Sequence, residues 1–195
     1  NVTGVQTCAL PIWNSRGGHV PSVLEAVQTC IKAGAPGITV HPRADARHIT
    51  PADVREIAVH LAGLDGHVEY NIEGDPRPDL LQLVREVRPT QCTLVPVRPG
   101  EITSEAGWPP GTPRDAVAQV VKDLRLAGVR VSVFVDPADA PIRWASDVGA
   151  DRVELYTEPF ARAFERGRRD AERSFATYCQ VAEAAHADRK STRLN

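Results

Sequence analysis

The stretch that decides the fold is Gly37-Ile-Thr-Val-His-Pro-Arg-Ala-Asp-Ala-Arg-His-Ile-Thr-Pro-Ala-Asp53. Its first residues form a short β-branched run, which is typical of a strand buried on both faces. A polar segment follows at once, and Thr50 with Pro51 then predicts a capped helix start. The stretch therefore places its chemically active side chains between the carboxyl end of a strand and the amino end of a helix, where parallel α/β proteins bind ligands.

The same strand-then-helix pattern recurs along the chain. Strands are predicted to end at residues 41, 73, 96, 135 and 156, with one helix in each interval and a long helical stretch from Thr157 to about Ala187. Repeats of this length predict an α/β fold with a parallel sheet and right-handed crossovers. No G-x-G-x-x-G motif follows a strand, which weakens a dinucleotide-binding reading. Because polar residues recur at the strand ends, the pattern favours a TIM-type (β/α)8 barrel over an open doubly wound sheet.

Composition limits the classes of partner. A formal net charge of −2 over 195 residues gives no reason to expect a nucleic-acid partner or an anionic membrane. No apolar run approaches the roughly 20 residues that cross a bilayer, and no secretory signal is expected at the start. The four cysteines are widely spaced, without a C-x-x-C pair. A reduced, cytoplasmic protein is therefore expected.

Both ends of the chain are predicted to be non-native tails. A sequencing-library adapter string translates to Gly4–Ile12, and its reverse complement translates to Asp188–Asn195. Natural tails are the alternative, but they would require the same agreement to arise by chance on both strands. We therefore expect residues 13–187 to form a partial barrel domain and residues 1–12 and 188–195 to stand outside it.

His41 and Glu73 close consecutive predicted strands, so their side chains are expected at one mouth of the barrel. Both residue types can move protons near neutral pH when a partly buried site tunes them. Cations beside a helix amino terminus suit a phosphate ligand, and four residues supply them: Arg16, Arg43, Arg47 and His48. The alternative is a solvated basic loop that pairs with Asp45, and for Arg47 this alternative is preferred.

Two further candidates lie on the same predicted rim. Glu154 is carried by the fifth strand, and Thr103 lies in the long loop after the third strand. A metal site built from His41, His48 and Glu73 is an alternative, but no standard ligand spacing supports it. No G-x-S-x-G motif or Cys–His arrangement indicates a nucleophile.

Four segments of the chain resemble the pyridoxine 5′-phosphate synthase family of vitamin B6 biosynthesis. They are Asn14-Ser-Arg-Gly17, the stretch from Gly37 to Thr50, Asn71-Ile-Glu73, and Leu94-Val-Pro96 with Glu101-Ile-Thr-Ser-Glu-Ala-Gly107. The second segment is long and specific, and the others are supportive. The resemblance extends to about Ala185 and implies an eight-stranded barrel that assembles as a homo-octamer.

The resemblance also implies the reaction and the roles of particular residues. The family joins 3-amino-2-oxopropyl phosphate to 1-deoxy-D-xylulose 5-phosphate, releasing phosphate and water, without a metal or an organic cofactor. By resemblance, His41 is the proton acceptor, Glu73 the second acid–base residue and Glu154 a transition-state stabiliser. The implied substrate contacts are Arg43 and His48 to the deoxyxylulose phosphate, and Arg16 and Thr103 to the aminoketone and the rim loop.

The chain departs from the family pattern at both ends. The family's first strand should precede Asn14, and its last two strands should follow Ala187, so a fragment with five or six strands is expected. An active synthase and an inactive truncated barrel both remain open. A third alternative is another phosphate-binding barrel enzyme such as an aldolase, which needs a Schiff-base lysine at a strand end. Lys32 and Lys122 are both predicted on helices, which counts against it.

Overall fold

A computed structural model describes residues 5–6, 22–46, 49–64, 68–97, 104–187 and 193–194. Within these ranges, helices and strands alternate as the sequence predicts. The strands are β1 (Val5–Gln6), β2 (Gly37–Val40), β3 (Glu69–Gly74), β4 (Gln91–Leu94), β5 (Arg130–Val135), β6 (Arg152–Leu155) and β7 (Arg193–Leu194). The helices are α1 (Val23–Lys32), α2 (Pro51–Ala62), α3 (Pro78–Val87), α4 (Arg114–Leu126), α5 (Asp139–Asp147), α6 (Glu158–Arg166) and α7 (Arg168–Ala187).

The chain divides into two compact units, of which the first holds α1 to α3, β1 to β3 and most of β4. Its strands lie in chain order, β1-β2-β3-β4. The pairs β1–β2 and β2–β3 are parallel, with Thr39 opposite Asn71 and Val40 opposite Ile72. The parallel strand–helix units that the sequence predicts are confirmed here.

The start of α2 shows why the deciding stretch folds locally. The Thr50 hydroxyl accepts the backbone N–H of Asp53 at 3.2 Å, and the Asp53 carboxylate accepts the backbone N–H of Thr50 at 2.7 Å. This capping box satisfies two N–H groups, and Pro51 occupies a first-turn position that needs no donor. The predicted helix start is confirmed.

One face of the first unit's strands is apolar and lies against a helix. Ile38, Val40 and Ile72 are at most 1% exposed. Tyr70 shares their face, and its hydroxyl donates to the backbone carbonyl of Val54 in α2 at 3.1 Å. Burial raises the pKa of Tyr70, and the charge of nearby Asp53 adds to the rise. The apolar face supplies the core of this unit.

The second unit contains α4 to α7 and β5 to β7. Its strands lie in the order β5-β6-β7, with parallel pairing throughout. Val131, Val133 and Val135 of β5 are fully buried and share one face of the strand, and Ser132 on the opposite face is buried as well. Nearby, the rings of Trp108 and Trp144 stack with their centroids 5.7 Å apart.

Two observations differ from the sequence predictions. The long helical stretch breaks at Gly167, whose φ of +122° ends a helix at little cost only for glycine. Two residues at each predicted tail, Val5–Gln6 and Arg193–Leu194, pair with β2 and β6 instead of standing outside the sheet. Strand pairing needs only backbone N–H and C=O groups, which any sequence supplies. The non-native origin of the two ends therefore stays a prediction.

Candidate active site

The first unit brings the predicted acid–base pair to neighbouring strand positions. β2 ends at Val40, which is paired with Ile72, so the next residues along the two strands are His41 and Glu73. Strand alternation places them on the same face as Thr39, away from the apolar core. His41 is half-buried and Glu73 is 3% exposed. A buried carboxylate and an imidazole at neighbouring strand ends make this position a candidate for acid–base chemistry.

Side chains of β2, β3 and β4 form a hydrogen-bonded series that is here called the polar chain. Its members are Thr39, Asn71, Thr93 and Gln91. The Gln91 amide donates to the Thr93 hydroxyl at 3.3 Å, and that hydroxyl donates to the Asn71 carbonyl at 3.1 Å. The Asn71 amide then donates to the Thr39 hydroxyl at 3.4 Å. Three strands are thus linked through polar groups that satisfy one another, and all of these except half-buried Thr39 are buried.

Sequence reasoning missed the polar chain because it treated the run from Ile38 to Val40 as buried on both faces. The available signal was a polar residue at every second strand position, as in Glu69, Asn71 and Glu73. Such alternation in a parallel strand indicates that one face lines a polar interior rather than a second apolar layer.

The charge of the Glu73 carboxylate acts on the buried thiol of Cys92. Burial raises the pKa of the Cys92 thiol to about 12, and the charge of Glu73 adds to the rise. The thiol is therefore protonated at neutral pH and is not an activated nucleophile.

The loop after β2 holds Arg43 in a tight turn. The backbone N–H of Ala46 donates to the carbonyl of Arg43 at 2.9 Å. Ala46 has a φ of +51°, a left-handed conformation that is uncommon for a residue with a side chain. Arg43 is half-buried close in sequence to the start of α2, and a helix amino terminus favours anions.

Sequence reasoning gave no role to Arg77, which the structure places among the same loops. Its guanidinium donates to the backbone carbonyl of Pro42 at 2.6 Å, to the Asp75 carboxylate at 2.5 Å and to the Asp79 carboxylate at 3.0 Å. Burial acts to raise the pKa of Asp79, but hydrogen bonding and charge from Arg77, with backbone N–H groups, outweigh it and lower that pKa.

Glu154 belongs to the second unit, in β6, opposite Phe134 of β5. The Phe134 ring meets the Tyr156 ring edge-on, with centroids 5.5 Å apart. Burial raises the pKa of Tyr156, and the charge of Glu158 adds to the rise. Glu154 is half-buried in this aromatic setting.

The last part of the long loop between β4 and α4 is hydrogen-bonded to the end of β5. The backbone N–H of Gly107 donates to the Asp136 carboxylate at 3.0 Å, and the Trp108 N–H donates to the Phe134 carbonyl at 2.9 Å. A Cβ at Gly107 would lie 2.3 Å from the Val135 Cα, so only glycine fits there.

The remaining candidates fall outside the described residues: Arg16, His48 and Thr103. The metal alternative that uses His48 falls there too, and the ranges that the structure describes hold no group of three metal-ligating side chains. Lys32 and Lys122 both lie within helices, in α1 and α4, as predicted. In the same described ranges, the structure has no helix long and apolar enough to span a bilayer.

Parallel strands in chain order that alternate with helices are the repeating unit of a barrel-type fold. Solved structures of that fold class confirm the architecture. D-psicose 3-epimerase from Clostridium cellulolyticum H10 matches with a TM-score of 0.58 at 11% identity, over 98% of this chain and 71% of that one. The fold class is therefore α/β of the TIM-barrel type, incomplete in this chain.

The family follows from sequence comparison. Residues 5–190 match the family described as Pyridoxal phosphate biosynthesis protein PdxJ. The chain is 46% identical over 169 residues to a pyridoxine 5′-phosphate synthase of Christiangramia forsetii, covering 87% of this chain and 69% of that protein. It is 44% identical over 172 residues to one of Bacteroides fragilis, covering 88% and 69%. The chain belongs to the PdxJ family, an enzyme family of vitamin B6 biosynthesis with phosphorylated small-molecule substrates, and the resemblance is confirmed.

Proposed function

We propose that the strand-end site condenses 3-amino-2-oxopropyl phosphate with 1-deoxy-D-xylulose 5-phosphate to form pyridoxine 5′-phosphate, phosphate and water. The observation that carries this is the register of β2 and β3, which sets half-buried His41 next to buried Glu73. Imine formation, enolisation, phosphate loss and ring closure each require a proton to move at a defined place. Two acid–base groups on adjacent strand ends meet that requirement without an organic cofactor or a metal.

The residue roles follow the chemistry of each side chain. His41 accepts a proton from the bound substrates, Glu73 serves as the second acid–base group, and Glu154 stabilises developing positive charge. Arg43 holds the phosphorylated ketose, since a guanidinium can bind an oxyanion through two hydrogen bonds. The further substrate contacts in this proposal are Arg16, His48 and Thr103.

A second candidate concerns this chain by itself, and its length favours it. The chain spans 69% of the length of the Christiangramia forsetii relative. We propose that the 195-residue chain alone does not turn over, because an incomplete barrel leaves open strand edges and loses pre-organised geometry.

One experiment tests both proposals. We define the extended chain as residues 14–187 flanked by the corresponding end sequences of the Christiangramia forsetii relative. Pyridoxine phosphate formation is measured for the extended chain and for the 195-residue chain. Product from the extended chain supports the synthase, and its absence there overturns it. Equal rates from the two chains would show that the added strands are not needed and would overturn the second candidate.

Assembly and location complete the proposal. We propose that the extended chain forms a homo-octamer and that the protein works in the cytoplasm. The free thiols of Cys30, Cys92 and Cys179 support a reducing compartment. Light scattering on the extended chain after size-exclusion chromatography measures the oligomer mass, and a monomer or dimer at working concentration would contradict the octamer.

A further inference from the structure

We propose that Arg77 is a positioning residue that ties the loop after β2 to the loop after β3 and so sets the placement of His41 against Glu73. The inference rests on the proposed function, because it concerns the same pair of acid–base groups. Arg77 donates hydrogen bonds to Pro42, Asp75 and Asp79, which follow the two residues of the pair in the chain. It acts through the backbone on either side of them.

The contacts reach both loops from one guanidinium. Pro42, whose carbonyl accepts from Arg77 at 2.6 Å, lies between His41 and Arg43 in the chain. Asp75, whose carboxylate accepts from Arg77 at 2.5 Å, follows Glu73 by two residues. A single side chain thus joins segments that are 35 residues apart. Because guanidinium hydrogen bonds have a fixed fork geometry, they restrain direction as well as distance.

The position of Arg77 at the start of α3 indicates that its role is to make the loop contacts and not to cap the helix. Arg77 is the N-cap of α3, and its side chain makes no capping hydrogen bond. A cation at a helix amino terminus is disfavoured by the helix dipole, and Ser, Thr, Asp or Asn would cap better. Asp75 and Asp79 offset that cost by pairing with the guanidinium. The third guanidinium nitrogen, Nη2, donates to the loop that carries His41.

The backbone also holds Arg77 in place. Pro76 and Pro78 flank it, and proline restricts both its own φ and the conformation of the residue before it. Arg77 accordingly has φ −74° and ψ 152°, an extended conformation. Its side chain is 16% exposed, so water competes weakly for the guanidinium.

The test compares Arg77→Ala with Arg55→Ala in the 195-residue chain. Arg55 is a matched control because its guanidinium binds Glu86 at 2.7 and 2.8 Å, joining α2 to α3 without touching either loop. Hydrogen–deuterium exchange is measured at the amides of Ala46 and Gly74. The unfolding midpoint of each variant in urea is measured as well. We expect exchange at these two amides to be about 10-fold faster in Arg77→Ala and unchanged in Arg55→Ala, since one loop contact is lost.

Binding gives the functional readout. Titration of the extended chain with 1-deoxy-D-xylulose 5-phosphate should show about 10-fold weaker affinity in Arg77→Ala, and Arg77→Lys should recover part of it, because an ammonium can still donate to the Pro42 carbonyl. Unchanged exchange in Arg77→Ala, or equally faster exchange in Arg55→Ala, would overturn the positioning role. Failure of the unsubstituted extended chain to bind the ketose phosphate would count against the proposed function instead, while the exchange comparison still decides the role of Arg77.

Discussion

The two faces of the first unit's strands are built on opposite principles. On one face, Ile38, Tyr70 and Ile72 are buried, and the Tyr70 hydroxyl donates a hydrogen bond to α2. On the other face, Asn71 and Thr93 are equally buried but hydrogen-bonded to each other. Burial of apolar area stabilises the fold without direction, whereas buried hydrogen bonds contribute little net stability but fix geometry. The comparison indicates that one face maintains the unit and the other supports the strand ends that carry His41 and Glu73.

The largest expected effect is on the apolar face. Ile72→Ala should lower the free energy of unfolding by about 3 to 4 kcal/mol, because it removes a fully buried side chain and leaves a cavity. Urea unfolding followed by circular dichroism measures the change. Val59→Ala is the control, since Val59 is 75% exposed and should cost less than about 0.5 kcal/mol. Similar losses in both variants would contradict the assignment of a core to this face.

The next largest effect is catalytic and belongs to the polar face. Glu73→Gln and His41→Asn in the extended chain should each lower turnover by about 100-fold or more, the usual scale for losing acid–base help. Their unfolding midpoints should stay close to that of the unsubstituted chain. Glu86→Gln, on the exposed ion pair with Arg55, serves as the control. Near-normal turnover in either site variant would remove that residue from the mechanism.

Substrate anchoring should show a smaller effect. Arg43→Ala should weaken binding of 1-deoxy-D-xylulose 5-phosphate by about 10-fold, since charge-assisted hydrogen bonds to an oxyanion are lost. Isothermal titration calorimetry of the extended chain measures the affinity, with Arg55→Ala alongside. An unchanged dissociation constant would assign Arg43 to the structure of its loop.

The polar chain should be worth less than the apolar core. Asn71→Ala should cost about 1 to 2 kcal/mol of unfolding free energy, because the Thr93 hydroxyl loses its acceptor. Gln119→Ala removes an exposed amide on α4 that pairs with Asp123, and it should be nearly neutral. A loss from Asn71→Ala as large as that from Ile72→Ala would break the contrast between the two faces.

The smallest effect is the pH dependence that Cys92 contributes between pH 9 and 10. Its raised pKa means that the folded chain keeps the proton that the unfolded chain releases above pH 9.0, so stability falls as pH rises from 9 towards 12. The loss of unfolding free energy due to Cys92 is at most about 1.4 kcal/mol per pH unit. Between pH 9 and 10 Tyr70 adds little to this loss, because the unfolded chain releases the tyrosine proton only above pH 10. Iodoacetamide at pH 9 should label exposed Cys179 but not Cys92 in the folded chain. Equal labelling of the two would contradict the burial of Cys92.

Local signals determined the elements and the family. Thr50, Pro51 and Asp53 specify the start of α2 through contacts within four residues, and β-branched residues specify β2 and β5, so these elements could be predicted from the sequence. His41 and Glu73 were predictable as strand-end residues for the same reason, and the long motif from Gly37 to Thr50 carried the family resemblance.

Tertiary structure alone decided what joins those elements. The register that sets Thr39 opposite Asn71, the polar chain and the reach of Arg77 to Pro42 all link residues far apart in the chain. A shift of one residue in strand pairing would reverse the two faces, and no local preference excludes it. The side-chain geometry of the site is therefore fixed only when the strands pair and the apolar face is buried, because that non-local burial selects a single register.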